Sequence, residues 1–167
     1  MSDLSTPTPG PLLVVDGYGL QDAPADGSVL AWATVAEWLV RARNYWVTSV
    51  RANGRPHAMP VWGLWLDDAL WFSTDPESVK GRNLRRSAET VVHLESGDDV
   101  CVLEGAVEWL TAAGLPDGFA EEYEKKYDFA MDVTNPSYAF LRLAPRVALT
   151  WRETDFPVSA TRWTFPG

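Results

Sequence analysis

Apolar and polar residues alternate through much of the chain, which is the pattern of half-buried strands. The clearest case is Tyr45–Arg51, which leads into Asn53-Gly54, a strong signal for a hairpin turn. We predict the return strand at Pro56–Leu66, where Pro60 lacks a ladder N–H and therefore indicates an edge strand or a bulge. Ala69–Thr74 then completes a predicted three-stranded meander.

Two segments follow a helical pattern instead, at residues 34–42 and 116–129. Thr34 and Glu37 have the spacing of a capping box at the start of the first of these helices. Four more strands are predicted, the last two separated by Pro145: Glu89–Glu95, Val100–Leu110, Tyr138–Leu143 and Val147–Arg152. Because most strands are joined by short turns, their order favours a mainly β fold with appended helices, closed as an antiparallel barrel.

The length of 167 residues suits one domain with a substantial core. Four prolines and four glycines fall within residues 1–27, a composition that favours extended chain over regular structure. We therefore predict an extended N-terminal arm at residues 1–27 and a single domain at residues 28–167.

The charge balance restricts the classes of partner. The chain has 14 Lys and Arg against 23 Asp and Glu, a formal net charge of −9, and this field repels nucleic acid and anionic membrane. No run of about 18 apolar residues is present, so no membrane span is expected. Cys101 is the single cysteine, which favours a reducing, cytoplasmic location. With His57 and His93 as the only histidines, no metal site is expected.

A basic cluster stands out against this acidic background. It places four of the 14 cations within seven residues: Lys80, Arg82, Arg85 and Arg86. A helix is predicted to begin at Thr74–Glu77, directly after a strand, and its free N–H groups would favour an anion. Ser73 and Thr74 add hydroxyl groups, and Gly81 leaves room for close approach. From spacing alone, an ordinary solvated helix face explains the cluster equally well.

Several stretches together resemble the pyridoxamine 5′-phosphate oxidase-like split-barrel family, and more narrowly its flavin- and deazaflavin-binding members. The matching pieces are TSVRANGRPHAMPVW, FST followed by KGRNL, VVHLESGDDVCVLEG and the closing TRWTF. They extend over about Trp38–Trp151 and the C-terminus. The resemblance implies a split β-barrel that forms a homodimer, with two cofactor sites at the subunit interface.

The resemblance also implies roles for particular residues. One strand would lie along the ring system of the cofactor, with contacts from His57, Met59, Pro60, Val61 and Trp62. A second group would hold the cofactor phosphate: Phe72, Ser73, Thr74, Lys80, Arg82 and Asn83. Arg162 and Trp163 would close the site from the partner subunit. This agrees with the anion site inferred from the basic cluster alone.

The function implied is that of a flavin- or deazaflavin-dependent oxidoreductase, with FMN or coenzyme F420 supplying the hydride chemistry for a small organic substrate. F420 carries a longer anionic tail than FMN, and Arg85 and Arg86 favour that tail slightly. No catalytic residue is assigned by the sequence. The alternative is a non-enzymatic flavin carrier, or a dimeric interaction module, on the same fold.

Overall fold

The computed structural model describes residues 6–12 and 30–166. Within them the chain forms nine strands, namely β1 Thr8–Pro11, β2 Tyr45–Val50, β3 Pro56–Val61, β4 Gly63–Leu66, β5 Ala69–Thr74, β6 Glu89–His93, β7 Asp99–Leu110, β8 Ala139–Arg152 and β9 Thr161–Thr164. It also forms four α-helices there, namely α1 Trp32–Arg41, α2 Val79–Arg86, α3 Phe119–Tyr127 and α4 Phe156–Ser159. The predicted mainly β fold with appended helices is confirmed.

All strand pairs are antiparallel, and their order is β1-β9-β8-β7-β6-β2-β3, with β5 pairing both β4 and β8. A single residue, Trp62, separates β3 from β4. The strands can therefore be followed in a ring, from β2 through β3, β4, β5, β8, β7 and β6 back to β2. This arrangement is a split β-barrel.

The predicted three-stranded meander is wrong, because its middle strand, predicted at Pro56–Leu66, is interrupted at Trp62. The chain forms two hairpins instead: β2 pairs with β3, and β4 pairs with β5. Each hairpin has a tight turn with positive φ angles, 79° at Gly54 in the first and 51° and 53° at Asp67 and Asp68 in the second. Both turns thus have the positive φ angles of tight hairpin turns. At Trp62, between the two hairpins, the chain changes its partner strand.

The longest strand, β8, is continuous through Pro145, so the two strands predicted on either side of that proline are one. Along one edge β8 pairs with β7, and along the other it pairs first with β5 and then with β9. A register shift between Glu104 and Gly105 lies opposite Pro145. A Cβ atom on Gly105 would approach the carbonyl oxygen of Ala144 to 2.8 Å, so glycine is required at this bulge.

Helix α1 covers one side of the barrel core. It begins at Trp32, and the residue that precedes it, Ala31, has no side chain to cap it. The predicted capping box of Thr34 and Glu37 is therefore wrong, and Glu37 instead forms an ion pair with Arg41 at 3.4 Å. The indole of Trp32 lies within the core.

Part of the predicted N-terminal arm forms a strand. Thr8–Pro11 pairs with Thr161–Thr164 at the edge of the sheet, while residues 1–5 and 13–29 lie outside the described ranges. The boundary between arm and domain stays a prediction. No helix among the described residues is both long enough and apolar enough to cross a membrane.

Candidate functional site

The basic cluster lies on α2, which begins at Val79 after the N-cap Ser78, whereas the sequence predicted the cap at Thr74 or Asp75. Ser78 is the N-cap, and its Oγ accepts a hydrogen bond from the Gly81 N–H at 2.9 Å. Asp75 does not cap the helix, because its Oδ1 accepts from the Glu77 N–H at 2.7 Å and forms a local turn. The predicted helix start is therefore wrong: a turn of four residues separates β5 from α2.

Gly81 serves the packing of this turn. A Cβ atom there would lie 2.5 Å from the carbonyl oxygen of Asp75 and 2.6 Å from that of Pro76. The sequence suggested that the glycine made room for an anion, whereas the space is filled by the preceding turn. The free N–H groups at the helix start are those of Val79 and Lys80.

Helix α2 is fixed to the barrel by polar and apolar contacts. The Asn83 Nδ2 donates to Ser49 Oγ at 3.0 Å, and both residues are buried. Leu84 lies in the core at 1% exposure. The Arg86 guanidinium donates to the carbonyl oxygen of Val50. The orientation of the cationic helix relative to β2 is therefore set by these residues.

Three arginines surround a cleft of about 470 Å³ between α2 and the turn of the first hairpin. Arg82 and Arg86 come from the helix, and Arg51 comes from the end of β2; Ala52, Asn53, Val79 and Asn83 complete the lining. The guanidinium of Arg82 donates to the carbonyl oxygen of Glu77, which limits its rotation. The other helix cation, Arg85, packs instead over the ring of Trp109 at 4.3 Å.

Lys80 is partly enclosed. Its Nζ lies 6.0 Å from the centre of the Phe72 ring, and burial lowers the pKa of the amine to about 8. Phe72 is fully buried and Thr74 is 7% exposed, with the Thr74 hydroxyl 3.2 Å from Ser78 Oγ. Ser73 is half-buried beside them.

His57 adds an unsatisfied polar atom. Its Nδ1 is buried without a hydrogen-bond partner. Desolvation, followed by the positive charges of Arg51 and Lys80, lowers the pKa of the imidazole. The ring is therefore neutral at pH 7 and can offer one N–H donor.

The cations of this region are segregated from carboxylate oxygens. Within residues 6–12 and 30–166, no carboxylate oxygen lies within 4.0 Å of the side-chain nitrogens of Arg51, Lys80, Arg82, Arg85 or Arg86. The five ion pairs of the described chain involve other cations, namely Arg41, Lys125, Arg142, Arg146 and Arg152. In a chain of net charge −9, this segregation produces a local positive site.

Strand β3 borders the same region and is mostly exposed. Among the described residues it pairs only with β2, so the predicted edge strand at Pro60 is confirmed. Met59 is 47% exposed, while Val61 at the end of the strand is buried. The outer edge of β3 therefore has backbone groups free to meet a ligand.

Trp62 follows β3 and lies against α3. Its indole stacks on the Tyr127 ring with centroids 4.6 Å apart and planes 9° apart. Arg43 lies 5.4 Å from the centre of the indole. Trp62 is 38% exposed, and it does not line the arginine cleft.

The two C-terminal residues implied at the site lie on opposite faces of β9. Trp163 is 4% exposed, its Nε1 donates to Thr150 Oγ1 at 2.8 Å, and its ring packs 5.4 Å from Trp32. Both the ring and the N–H of Trp163 are used within the core of its own chain, and its contact with a cofactor of the partner subunit stays a prediction. Arg162 lies on the outward face, and its role at the site stays a prediction.

Sequence reasoning missed Arg51 as a member of the cationic group, because it precedes the hairpin turn and lies 29 positions from Lys80 in the chain. Its position directly after an alternating strand was the available signal. Sequence reasoning also missed Lys126 and Tyr127 of α3, which contact the junction of β3 and β4. Among the described residues, no three His, Cys, Asp or Glu side chains are grouped closely enough to hold a metal ion.

Solved structures share this fold. The conserved hypothetical protein Rv2991 from Mycobacterium tuberculosis is 22% identical, with a TM-score of 0.64 over 79% of this chain and 90% of that one. A protein described as an F420 reductase is 19% identical, with a TM-score of 0.55 over 67% and 93% of the two chains. A pyridoxamine 5′-phosphate oxidase-related, FMN-binding protein from Nostoc punctiforme is 17% identical, with a TM-score of 0.57 over 81% and 91%.

Comparison with curated proteins finds no match. The sequence profile described as pyridoxamine 5′-phosphate oxidase, however, matches residues 31–152. This range extends from the start of α1 to the end of β8 and includes β3, α2 and the arginine cleft. The chain thus belongs to the pyridoxamine 5′-phosphate oxidase family.

Proposed function

We propose that the protein binds a phosphate-bearing flavin or deazaflavin between β3 and α2 and acts as an oxidoreductase on a small organic substrate. The observation that carries this proposal is the positive site around Lys80, Arg82 and Arg51, whose side-chain nitrogens have no carboxylate oxygen of the described residues within 4.0 Å. When bound, such a cofactor supplies hydride transfer. The protein supplies orientation, charge and exclusion of water.

The residues of the site match the needs of a phosphate group. The Lys80 amine is partly desolvated, which favours a bound anion over bulk water as its partner. His57 has a buried Nδ1 whose hydrogen-bonding capacity is unused. Arg82 offers a planar guanidinium suited to two phosphate oxygens. Each of the three groups can thus take part in binding a phosphate.

The ring system of the cofactor is assigned to the outer edge of β3. This edge has no partner strand among the described residues, and Ala58, Met59 and Pro60 are exposed along it. Backbone N–H and C=O groups at a free edge can bind the polar atoms of a flat heterocycle, as they would those of a neighbouring strand. His57 connects this edge to the phosphate-binding residues.

Between the two cofactors, we propose F420 first and FMN second. FMN has one phosphate, which Lys80 and Arg82 can bind. The arginine cleft continues beyond them to Arg51 and Arg86 and has a volume of about 470 Å³, larger than one phosphate group requires. F420, whose tail has several negative charges, would use this additional cationic surface.

We also propose a homodimer whose interface is the outward face of the sheet. One row of paired residues crosses five strands and is half-buried throughout: Trp46, His93, Val102, Leu149 and Arg162. The Trp46 and His93 rings in this row are parallel and 6.2 Å apart. A partner subunit on this mainly apolar row would cover it and would bring Arg162 to the interface. Sedimentation of the purified protein at micromolar concentration tests this assembly.

The first experiment is a fluorescence titration of the purified protein with FMN and with F420, measured side by side. We expect micromolar or tighter binding of at least one. Lys80→Ala combined with Arg82→Ala should weaken that binding by several kcal/mol, since each charge-assisted hydrogen bond contributes roughly 1.5–3 kcal/mol. Lys125→Ala, on an exposed lysine of α3, is the matched control and should bind like the wild type.

Absence of binding to both cofactors would refute the proposal and favour the interaction module. Binding without turnover would support the carrier. The two are separated by reducing the bound cofactor and measuring its reoxidation with a panel of small organic acceptors. An oxidoreductase accelerates reoxidation by at least one acceptor relative to free cofactor, whereas a carrier slows it or leaves it unchanged.

A further inference from the structure

The junction between β3 and β4 is the point at which the chain changes its partner strand. Val61 still pairs with β2, and Gly63 already pairs with β5. A backbone that leaves one ladder and joins another has polar groups that neither ladder satisfies. At Gly63 these groups are satisfied from outside the sheet, by α3.

The Tyr127 hydroxyl is the centre of this contact. It accepts a hydrogen bond from the Gly63 N–H at 2.9 Å. It also lies 2.8 Å from the carbonyl oxygen of Gly63 and 2.9 Å from that of Arg43. A phenol has one hydrogen, so it donates to one of these carbonyls at a time.

Lys126 supplies the donor that Tyr127 lacks. Its Nζ donates to the Gly63 carbonyl oxygen and to the Tyr45 hydroxyl, both at 3.0 Å. The Tyr127 hydrogen is then free for Arg43. Glycine is required at this position, because a Cβ atom on residue 63 would lie 2.7 Å from the carbonyl oxygen of Trp71 on β5.

The same helix fixes the side chain next to the junction. The stack of Trp62 on Tyr127 joins the last residue before β4 to the phenol that binds Gly63. Tyr127 is 5% exposed, so the phenol is held in place by its surroundings. The free edge of β3 therefore ends at a point whose backbone and side chain are both set by α3.

We infer that Lys126 and Tyr127 are positioning residues for the cofactor ring: by holding the β3–β4 junction at Gly63, they keep the free edge of β3 in the conformation that binds the heterocycle. This inference rests on the proposed function. The two residues do not belong to the phosphate site, whose cations come from α2 and the end of β2. Their loss should therefore affect the ring and leave the phosphate site unchanged.

The test compares two binding constants in the full-length protein: the Kd for FMN, and the inhibition constant of inorganic phosphate as a competitor of FMN. In Tyr127→Phe, the Gly63 N–H loses its acceptor, and we expect about a tenfold rise in the Kd for FMN. The phosphate constant should not change. Lys80→Ala should raise both constants, because it removes a phosphate contact.

Two further variants complete the test. Lys126→Met keeps the apolar stem and removes the donor to Gly63, so it should act in the same direction as Tyr127→Phe and decides the question if that variant does not fold. Tyr123→Phe is the matched control. Tyr123 is also buried on α3, but its hydroxyl makes no hydrogen bond within the described residues.

The outcomes distinguish this inference from the proposal on which it rests. If the wild type binds neither FMN nor F420, the proposed function fails, and the inference fails with it. If the wild type binds and the two α3 variants bind equally well, the inference alone is overturned. It is also overturned if phosphate binding weakens in parallel with FMN binding, or if Tyr123→Phe has the same effect, since either result indicates general loosening. If F420 is the ligand bound, it replaces FMN throughout.

Discussion

Replacing Lys80 by methionine should make the cofactor-free protein more stable. The lysine is held partly desolvated on α2 without a carboxylate partner among the described residues, so its charge is a cost to the folded state in the absence of an anion. Methionine keeps an unbranched apolar stem of similar length and removes the charge. A site built for an anion is expected to have this property, because the binding residue is satisfied only when the ligand is present.

The expected gain in the free energy of unfolding follows from the pKa of Lys80. The difference between the ordinary lysine value of 10.5 and about 8 corresponds to roughly 3 kcal/mol. Partial exposure to solvent reduces the expected gain to about 2 kcal/mol. The sign follows from proton linkage: below pH 8 the amine is charged in both states, and the full cost is present. Between pH 8 and 10.5 the unfolded chain binds the additional proton, so the wild type gains stability as the pH rises and the difference disappears.

The measurement is urea unfolding of cofactor-free wild type and Lys80→Met at pH 7, 8, 9 and 10. Lys125→Met, on an exposed lysine 3.5 Å from Glu122, is the control and should change the unfolding free energy by less than about 0.5 kcal/mol. Added phosphate should narrow the difference at pH 7, because it stabilises only the wild type. A Lys80→Met variant that is equally or less stable at pH 7 would refute the reasoning.

Three other changes test the structure around the site. Gly81→Ala should lower the unfolding free energy by about 2 kcal/mol in urea titrations, since its Cβ would lie 2.5 Å from the Asp75 carbonyl oxygen; a gain, as expected for alanine in an unhindered helix, would contradict this packing. Ser49→Ala and Asn83→Ala should show a coupling of about 1 kcal/mol in a double-mutant cycle, whereas additive effects would mean that their hydrogen bond contributes nothing. Burial raises the pKa of the Cys101 thiol to about 12, so iodoacetamide at pH 8 should modify it only after unfolding; rapid labelling of the native protein, followed by mass spectrometry, would be the contrary result.

Much of the strand pattern could be predicted from the sequence because alternation and turn chemistry are local. The strand predicted at Tyr45–Arg51 ends one residue earlier in the structure, and the turn at Gly54 has the positive φ that Asn-Gly favours. Pairing over long separations could not be predicted in this way. Pro145 remains within a strand beside a bulge at Arg146, and the residue opposite it, Gly105, lies 40 positions earlier.

The cations of the site were predicted from their clustering, but their surroundings were not. Thr74 and Ser78 are both capable N-caps, and only the turn made by Asp75 selects the second. Arg51 joins the cleft because the first hairpin ends beside α2, which no local pattern records. Tryptophan is common at protein interfaces, yet the indole of Trp163 makes its hydrogen bond inside the barrel.

The central position of β8 has a consequence for synthesis on the ribosome. Until Ala139–Arg152 has been made, β5 and β7 each have an unpaired edge, and the ring of strands remains open. About 150 residues must therefore leave the ribosome before the barrel can close, and the nascent chain exposes two strand edges during that time. Chaperone binding during translation, and aggregation when synthesis stops before β8, follow from this topology.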